Sequence, residues 1–390
     1  MLGRRQGDQL MQAPPLNFIY FYLTEGCNLQ CRHCWIAPKF VTEHTTPASL
    51  DVGVIESIVR QAKSLGLTTV KLTGGEPLIH PQITEILELV RRQEIGLILE
   101  TNGVNCSPVI ARSIASCGAP AVSVSIDGAD AQTHEWMRGV AGSFDAAVTG
   151  VRNLVNAGVR PQLIMSLVKR NKTQVEPLIS LAQSLGAESV RFNIVQGTAR
   201  GERLQKVGET LSIHELLDLG VWAETECTGI EKIRVDFAHP IAFRPLHRLF
   251  DPNDNGCGTC RILNIIGVLA DGSYALCGIG EAVPELVFGH AERDRLRDVW
   301  RDTPILRRLR QGLPSRLRGI CGSCLMKKVC LGSCIAMNYY LSGDLWAPFW
   351  YCEEAAAVGR FPDTRRLPSS GGEREMDRID RLHGGDPPRS

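Results

Sequence analysis

Residues 18–35 read FIYFYLTEGCNLQCRHCW. The apolar run Phe18–Leu23 reads as a buried strand, and Cys27, Cys31 and Cys34 follow it at C-x3-C-x2-C spacing. Three thiolates thus share one tight loop with no fourth nearby. A cubane iron–sulfur cluster has four irons, so three protein thiolates leave one iron open to another ligand. An open coordination position separates a reactive metal centre from a structural one. The competing readings are unrelated core cysteines or a zinc site in which His33, between two of the cysteines, supplies the fourth ligand.

Outward from this loop, short apolar runs alternate with helical patterns up to about residue 200. Strands are expected at Phe18–Leu23, Thr69–Leu72, Leu97–Glu100, Val122–Ile126, Leu163–Val168 and Val190–Val195, with helices such as Leu50–Leu65 and Phe144–Ala157 between them. Gly66, Gly158 and Gly186 fall where left-handed C-caps belong, and Ser49 is the expected N-cap of the first helix. Repeated βα units imply a parallel sheet with right-handed crossovers. Six units fall short of the eight in a closed barrel of this kind. The expected architecture is therefore α/β: a partial (β/α)6 barrel over residues 16–235, open on one side to a bulky substrate. Reactive groups in such folds sit at the carboxyl ends of the strands, where the cysteine loop lies.

Composition narrows the field. The 390 residues carry a net charge of +1 and are 44% hydrophobic, enough for a large core. That charge gives no general attraction to nucleic acid or to an anionic membrane, and neither is expected as a partner. The early apolar run is too short for a signal peptide or a membrane span, and Arg4 and Arg5, in an N-terminal extension over 1–15, read as solvent-facing. Fourteen cysteines without an export signal argue for metal ligation in a reducing, cytoplasmic setting rather than for disulfides. Three lie at 27–34 and eight between 257 and 352, while Cys106, Cys117 and Cys227 read as small core residues. Residues 236–360 are rich in Gly and Cys and read as a small metal-stapled domain. Residues 361–390 read as a disordered charged tail, with a short helix near Glu373–Leu382 as the alternative.

Further polar motifs close the strands. Gly74-Gly75-Glu76-Pro77 follows the second, its glycines allowing close backbone approach and its carboxylate able to accept from an ammonium group. Asn102-Gly103 closes the third strand and Ser125-Ile126-Asp127-Gly128 the fourth. Each can be an ordinary turn, but together they ring one rim with polar groups, as a polar ligand requires.

The cysteine loop, GGEP, TNG and the run SIDG…RGVAGSFDAAVTGVRNLVNAG, spread over roughly residues 16–200, resemble the radical S-adenosylmethionine (SAM) superfamily, especially its peptide-modifying branch. The resemblance implies a [4Fe–4S] cluster on Cys27, Cys31 and Cys34 whose open iron chelates the methionine amine and carboxylate of SAM. It further implies that Gly74, Gly75 and Glu76 hold the amine, with Asn102 beside them. Ser125 and Arg138 would reach the ribose or carboxylate, Arg138 being alternatively a surface ion pair. His33 and the backbone near Ile194–Val195 would flank the adenine. Reductive cleavage of SAM would then give a 5′-deoxyadenosyl radical that removes hydrogen from substrate, with electrons from a flavodoxin or ferredoxin type of low-potential donor.

The C-terminal cysteines form a second pattern. Cys260 and Cys277 flank Asp271-Gly272, a hairpin turn signal, and Cys321-x2-Cys324-x5-Cys330-x3-Cys334 precedes Cys352. Paired zinc sites are one reading. The pattern resembles the SPASM domain, which implies two auxiliary [4Fe–4S] clusters: Cys257, Cys260, Cys277 and Cys334 at the first, Cys321, Cys324, Cys330 and Cys352 at the second. Cys257-x2-Cys260 is tighter than that pattern favours. Sulfatase-maturing members carry a catalytic Asp after the hairpin cysteine; here that place is Gly278, and the first carboxylate is Glu281. The expected function is a crosslink or related C–H modification of a ribosomally made precursor peptide, with leader recognition left to a separate protein or to the barrel. Tetrapyrrole or quinone cofactor maturation and a non-catalytic iron–sulfur carrier are the rivals. The catalytic base is not legible; Tyr20, Tyr22, His80 and Ser166 read as core or rim.

Overall fold

In the computed structural model, which describes residues 13–42, 44–227, 233–249 and 260–368, the chain builds one ten-stranded sheet. Its strands are β1 (Phe18–Tyr22), β4 (Thr69–Thr73), β5 (Gly96–Thr101), β6 (Ala121–Ser125), β7 (Gln162–Leu167), β8 (Ser189–Ile194), β9 (Arg234–Phe237), β10 (Ile265–Val268), β11 (Ser273–Ala275) and β12 (Val287–His290). Two short strands, β2 (Gly26–Cys27) and β3 (Lys39–Phe40), pair in parallel within the loop after β1. The order is β12-β11-β10-β1-β4-β5-β6-β7-β8-β9, and every neighbouring pair from β10 through β1 to β9 is parallel.

Each strand follows from its side-chain period. Ile19 and Phe21 in β1 and Val70 and Leu72 in β4 are buried, while their neighbours point to the other face. The helices α1 (Val52–Lys63), α2 (Ile83–Arg92), α3 (Pro108–Ala115), α4 (Ala131–Arg138), α5 (Ser143–Asn156), α6 (Val175–Leu185), α7 (Arg200–Lys206) and α8 (Ile213–Thr225) lie along the chain between successive strands from β1 to β9. In α2, Ile83, Ile86, Leu87, Leu89 and Val90 are buried against the sheet, as a 3.6-residue period dictates. Gly186 does cap α6 in the left-handed region, and Gly66 and Gly158 have φ of +100° and +87°.

Three sequence expectations shift. Asp51, not Ser49, caps α1 by accepting from Val54 N–H; Ser49 lies two residues upstream and hydrogen-bonds Thr24 Oγ1 at 3.1 Å. The parallel run continues past the six expected units with β9, whose alternation Arg234-Val235-Asp236-Phe237 is short and half polar. The Cys-flanked hairpin is real, β10 and β11 pairing antiparallel, yet it joins the barrel sheet on the free edge of β1 instead of forming a separate layer. One sheet therefore runs through residue 235 and into the cysteine-rich region. Among the described residues no helix is long and apolar enough to cross a membrane. The Arg4/Arg5 patch, Cys257 and the tail segment Glu373–Leu382 lie outside the described residues.

Candidate active site

The loop after β1 is held from two sides. Thr24 Oγ1 accepts from Gly26 N–H at 3.0 Å, and β2 pairs with β3. From across the barrel, the end of α4 supplies two carbonyls: Gln30 N–H donates to Arg138 O at 3.0 Å and Arg32 N–H to Met137 O at 2.9 Å. Cys27 and Cys31 are buried, Cys34 is half-buried, and all three are free thiols facing one cavity of about 200 Å³. Burial pushes the Cys27 thiol up to about 12, with Glu76 adding to the effect. Burial also raises Cys31, and the Arg138 guanidinium opposes it.

The loop after β4 is stitched to this one. Gly75 N–H donates to Thr24 O at 2.9 Å and Glu76 N–H to Gly26 O at 2.8 Å. Gly74 has φ +128°, a conformation that L side chains rarely adopt. Glu76 is fully enclosed and its carboxylate is anchored by three donors. Thr101 Oγ1 gives to Oε1 at 2.6 Å, Leu78 N–H to Oε1 at 3.0 Å and Asn102 N–H to Oε2 at 2.8 Å. Burial raises its pKa and these donors counter that rise. Asn102 Nδ2 in turn donates to Asn28 Oδ1 at 2.7 Å, tying the third strand's end back to the cysteine loop.

Arg138 lines the same cavity and Asp127 lies beside it, both buried. Arg138 Nε stands 2.7 Å from Asp127 Oδ2, and Nη1 donates to Cys31 Sγ at 3.6 Å. Burial works against the Asp127 carboxylate, but Arg138, His33 and the Ser166 N–H hold it below the usual range. Arg138 is thus an interior charge pair and not the surface ion pair the sequence left open. His33 Nε2 lies 3.8 Å from Asp127 Oδ2, and burial pushes its pKa down to about 4. Ser125 lines the same cavity.

The cavity also gathers residues that sequence reasoning passed over or set aside. Ser166 faces it, rather than packing in the core. Arg200, at the start of α7, donates through Nη2 to Pro38 O at 2.7 Å and through Nη1 to Cys31 O at 3.5 Å. Asn193 on β8 and Trp35 complete the lining. Their only sequence signal is position: each lies at or just beyond the carboxyl end of a strand or beside the cysteines. Ile194 and Val195 line a neighbouring cavity of about 160 Å³. His80 stands apart, its ring nitrogens meeting Leu50 O and Gln82 N. Tyr22 is buried, edge-on to Trp35 at 6.5 Å between centroids.

The C-terminal thiols separate into two groups. Burial raises the pKa of Cys260 and Cys277, Cys334 lies close enough to raise both further, and Cys277 adds to the rise at Cys260. Cys321, Cys324, Cys330 and Cys352 line one small cavity. Backbone donors meet several of these sulfurs: Phe349 N–H to Cys321 at 3.4 Å, Met326 N–H to Cys324 at 3.3 Å and Met337 N–H to Cys334 at 3.4 Å. Cys106 and Cys227 are buried and Cys117 half-buried, away from all three groups. At Gly278 a Cβ would come within 2.3 Å of Tyr22 Cε1, so no carboxylate side chain fits there beside the present ring.

The donor set suits a cluster with one open position and an amino-acid ligand. Three free thiols face a cavity whose adjoining wall is two glycines and an enclosed carboxylate. Among the described residues no three Cys, His, Asp or Glu groups converge tightly enough to hold a single metal ion. A cubane spreads its thiolates over separate iron corners and does not ask for that convergence.

Comparison with known proteins fits this geometry. Residues 21–182 match the Radical SAM superfamily. The AdoMet-dependent heme synthase of Methanosarcina barkeri is 29% identical over 362 residues, 88% of this chain and 97% of that one. Mycofactocin maturase MftC of Mycobacterium ulcerans is 28% identical over 361 residues, 90% of this chain and 93% of its own. Among solved structures, Streptococcus suis SuiB bound to S-adenosylmethionine shares the fold with a TM-score of 0.68 at 19% identity, covering 87% of this chain and 78% of SuiB.

Proposed function

We propose that this chain is a radical SAM enzyme, a reading its match to that superfamily over residues 21–182 supports, and that it modifies a ribosomally made precursor peptide at an unactivated C–H bond. In this reading Cys27, Cys31 and Cys34 would carry a [4Fe–4S] cluster, which, once reduced by one electron from the donor and with SAM bound, would supply a 5′-deoxyadenosyl radical. Glu76, held by Thr101, Leu78 and Asn102, presents a fixed acceptor for the methionine ammonium, which a freely rotating carboxylate could not do as well. Gly74 and Gly75 bring backbone against that same group. Ser125, Arg138 and His33 line the remainder of the ligand's path. Trp35 lines the apolar side of this cavity, its ring edge-on to the buried Tyr22.

The observation that carries the peptide reading is the charge beside the main cavity. A second cavity of about 100 Å³ adjoins the main one, the two sharing Ile36, Pro38, Gly74 and Gly75 as lining. It is also lined by Glu25, Lys39 and Glu281, with Glu25 paired to Lys39. With Glu25 paired to Lys39, this region carries at most the one net negative charge of Glu281, which suits a largely neutral segment and disfavours a substrate bearing several carboxylates of its own. SuiB has been solved with its precursor peptide SuiA bound. The second reading, tetrapyrrole maturation, is supported by the similarity to the Methanosarcina barkeri heme synthase. The room lost at Gly278 speaks against a sulfatase-type maturase.

In the same reading Cys260, Cys277 and Cys334, with Cys257, hold one auxiliary cluster and Cys321, Cys324, Cys330 and Cys352 a second, relaying electrons between substrate, the first cluster and a flavodoxin or ferredoxin type of donor. We assign residues 16–235 to the barrel and 236–360 to the auxiliary region, and place the enzyme in the reducing cytosol because its described cysteines are all unpaired. The test is anaerobic: reconstituted protein should form 5′-deoxyadenosine from SAM under dithionite. Co-expression with a candidate peptide from a neighbouring gene should then change that peptide's mass. Loss of carboxyl groups from an added iron-porphyrin, with every peptide unchanged, would transfer the assignment to the second reading.

A further inference from the structure

Arg138 is the last residue of α4, fixed there by the helix's own caps. Asp130 accepts from Thr133 N–H at one end, and Gly139 turns the chain with φ +74° at the other. A Cβ on Gly139 would meet Gln30 O at 2.8 Å, so the end of this helix is pressed onto the cysteine loop. The guanidinium is shared between two neighbours on different edges. Its Nε faces Asp127 Oδ2 at 2.7 Å, while Nη1 donates to Cys31 Sγ at 3.6 Å.

Asp127 is fixed just as firmly. Its Oδ1 accepts from Ser166 N–H at 2.7 Å, and its own N–H donates to His134 Nδ1 at 3.2 Å. Among the described residues, Arg138 is the side chain seen donating to a sulfur of the three-thiol loop; Arg200 reaches carbonyl oxygens of that loop instead. An arginine stays protonated even when buried, so this positive charge beside Cys31 is permanent.

One-electron reduction adds a negative charge to an iron–sulfur cluster, and hydrogen bonds and charges at its ligand sulfurs set how favourable that step is. A guanidinium on Cys31 favours the reduced form. A carboxylate on the other edge of the same guanidinium withdraws part of that advantage. We propose that the Arg138–Asp127 pair sets the reduction potential of the cluster on Cys27, Cys31 and Cys34, Arg138 raising it and Asp127 lowering it. Both act as positioning residues through Cys31, whatever contact Arg138 makes with the cosubstrate. The inference rests on the cluster reading above. The electron comes from an external low-potential donor, and no bond is made or broken in this step.

The test is an EPR-monitored redox titration of the full-length reconstituted protein without SAM, comparing wild type with R138Q, R138K and D127N. The relevant signal is the one that changes when SAM is added afterwards. R138Q should lower the reduced-to-oxidised ratio at a fixed poise about tenfold, a shift of about 59 mV for a one-electron couple. D127N should shift it the opposite way, and R138K, which keeps the charge but not the fork, should fall between wild type and R138Q. An R138Q ratio within threefold of wild type overturns the proposal, as does a D127N shift in the same direction as R138Q. Should R138Q fail to retain iron, D127N and R138K decide: a D127N potential equal to that of wild type overturns the proposal. Failure of the underlying reading shows elsewhere, as full iron and sulfide retained in a C27A/C31A/C34A variant.

Discussion

A Cβ built on Gly75 would stand 1.8 Å from the carbonyl oxygen of Gly26. That oxygen accepts from Glu76 N–H at 2.8 Å, so it cannot swing aside without breaking the seam between the cysteine loop and the carboxylate loop. Two segments fifty residues apart thus meet backbone to backbone.

Gly75→Ala should therefore cost more than the roughly 1–3 kcal/mol of ordinary overpacking. We expect a lower denaturation midpoint together with loss of iron from the barrel site. Gly118 is the control. A Cβ there meets nothing within 4 Å, and φ is +86°, so Gly118→Ala should cost only the left-handed backbone penalty of about 1–2 kcal/mol. Equal midpoints for the two variants would contradict the close approach.

The two thiol regions should lose iron independently. Replacing Cys27, Cys31 and Cys34 by alanine should remove roughly a third of the iron if three cubanes are present, and all 5′-deoxyadenosine formation with it. Replacing Cys321 and Cys352 should remove a similar share while leaving the spectral response to SAM intact. Iron and sulfide assays and Mössbauer spectra read both outcomes.

Glu76→Gln can keep one oxygen for Thr101 Oγ1 and Leu78 N, and then turns its amide N–H₂ onto Asn102 N–H, which already donates there. Leaving buried donors face to face costs about 1–3 kcal/mol. We expect that loss in chemical denaturation, and a weaker SAM affinity by calorimetry. Thr101→Val removes one donor only and should cost about 1 kcal/mol, with SAM affinity largely kept.

His134 should make the fold sensitive to acid. It is fully buried beside Phe144, and burial first, then Arg138, pushes its pKa down to about 3. Its folded pKa lies below the unfolded value near 6.5, so protons favour the unfolded chain. Stability is fully present above about pH 6.5 and falls as pH drops toward 3, by up to about 1.4 kcal/mol per pH unit from this group. His134→Gln should flatten that slope between pH 6.5 and 5; an unchanged slope would show that the imidazole is not the group responsible.

Much of this was legible because the informative signals are local. C-x3-C-x2-C, GGEP and the cysteine-flanked Asp271-Gly272 hairpin are contiguous, and each fixes a loop at a strand end through short-range sterics and hydrogen bonding. What escaped depended on residues distant in the chain. The β9 pattern is too short to stand out, and pairing with β8 is what makes it a strand. Arg200 and Asn193 sit in no motif, yet β8 brings Asn193, and the crossover after it Arg200, to the cavity that the cysteines line.

The sequence by itself determined the chemistry on offer: three thiols short of a fourth, a glycine-flanked carboxylate, and a second store of cysteines. Only the tertiary structure decided how those groups are charged and held, because burial and neighbours have no sequence period. Arg138 reads as either a cosubstrate ligand or a surface ion pair until the packing of α4 sets it between Asp127 and Cys31. The hairpin reads as a separate module until β10 finds the open edge of β1 and satisfies its backbone there.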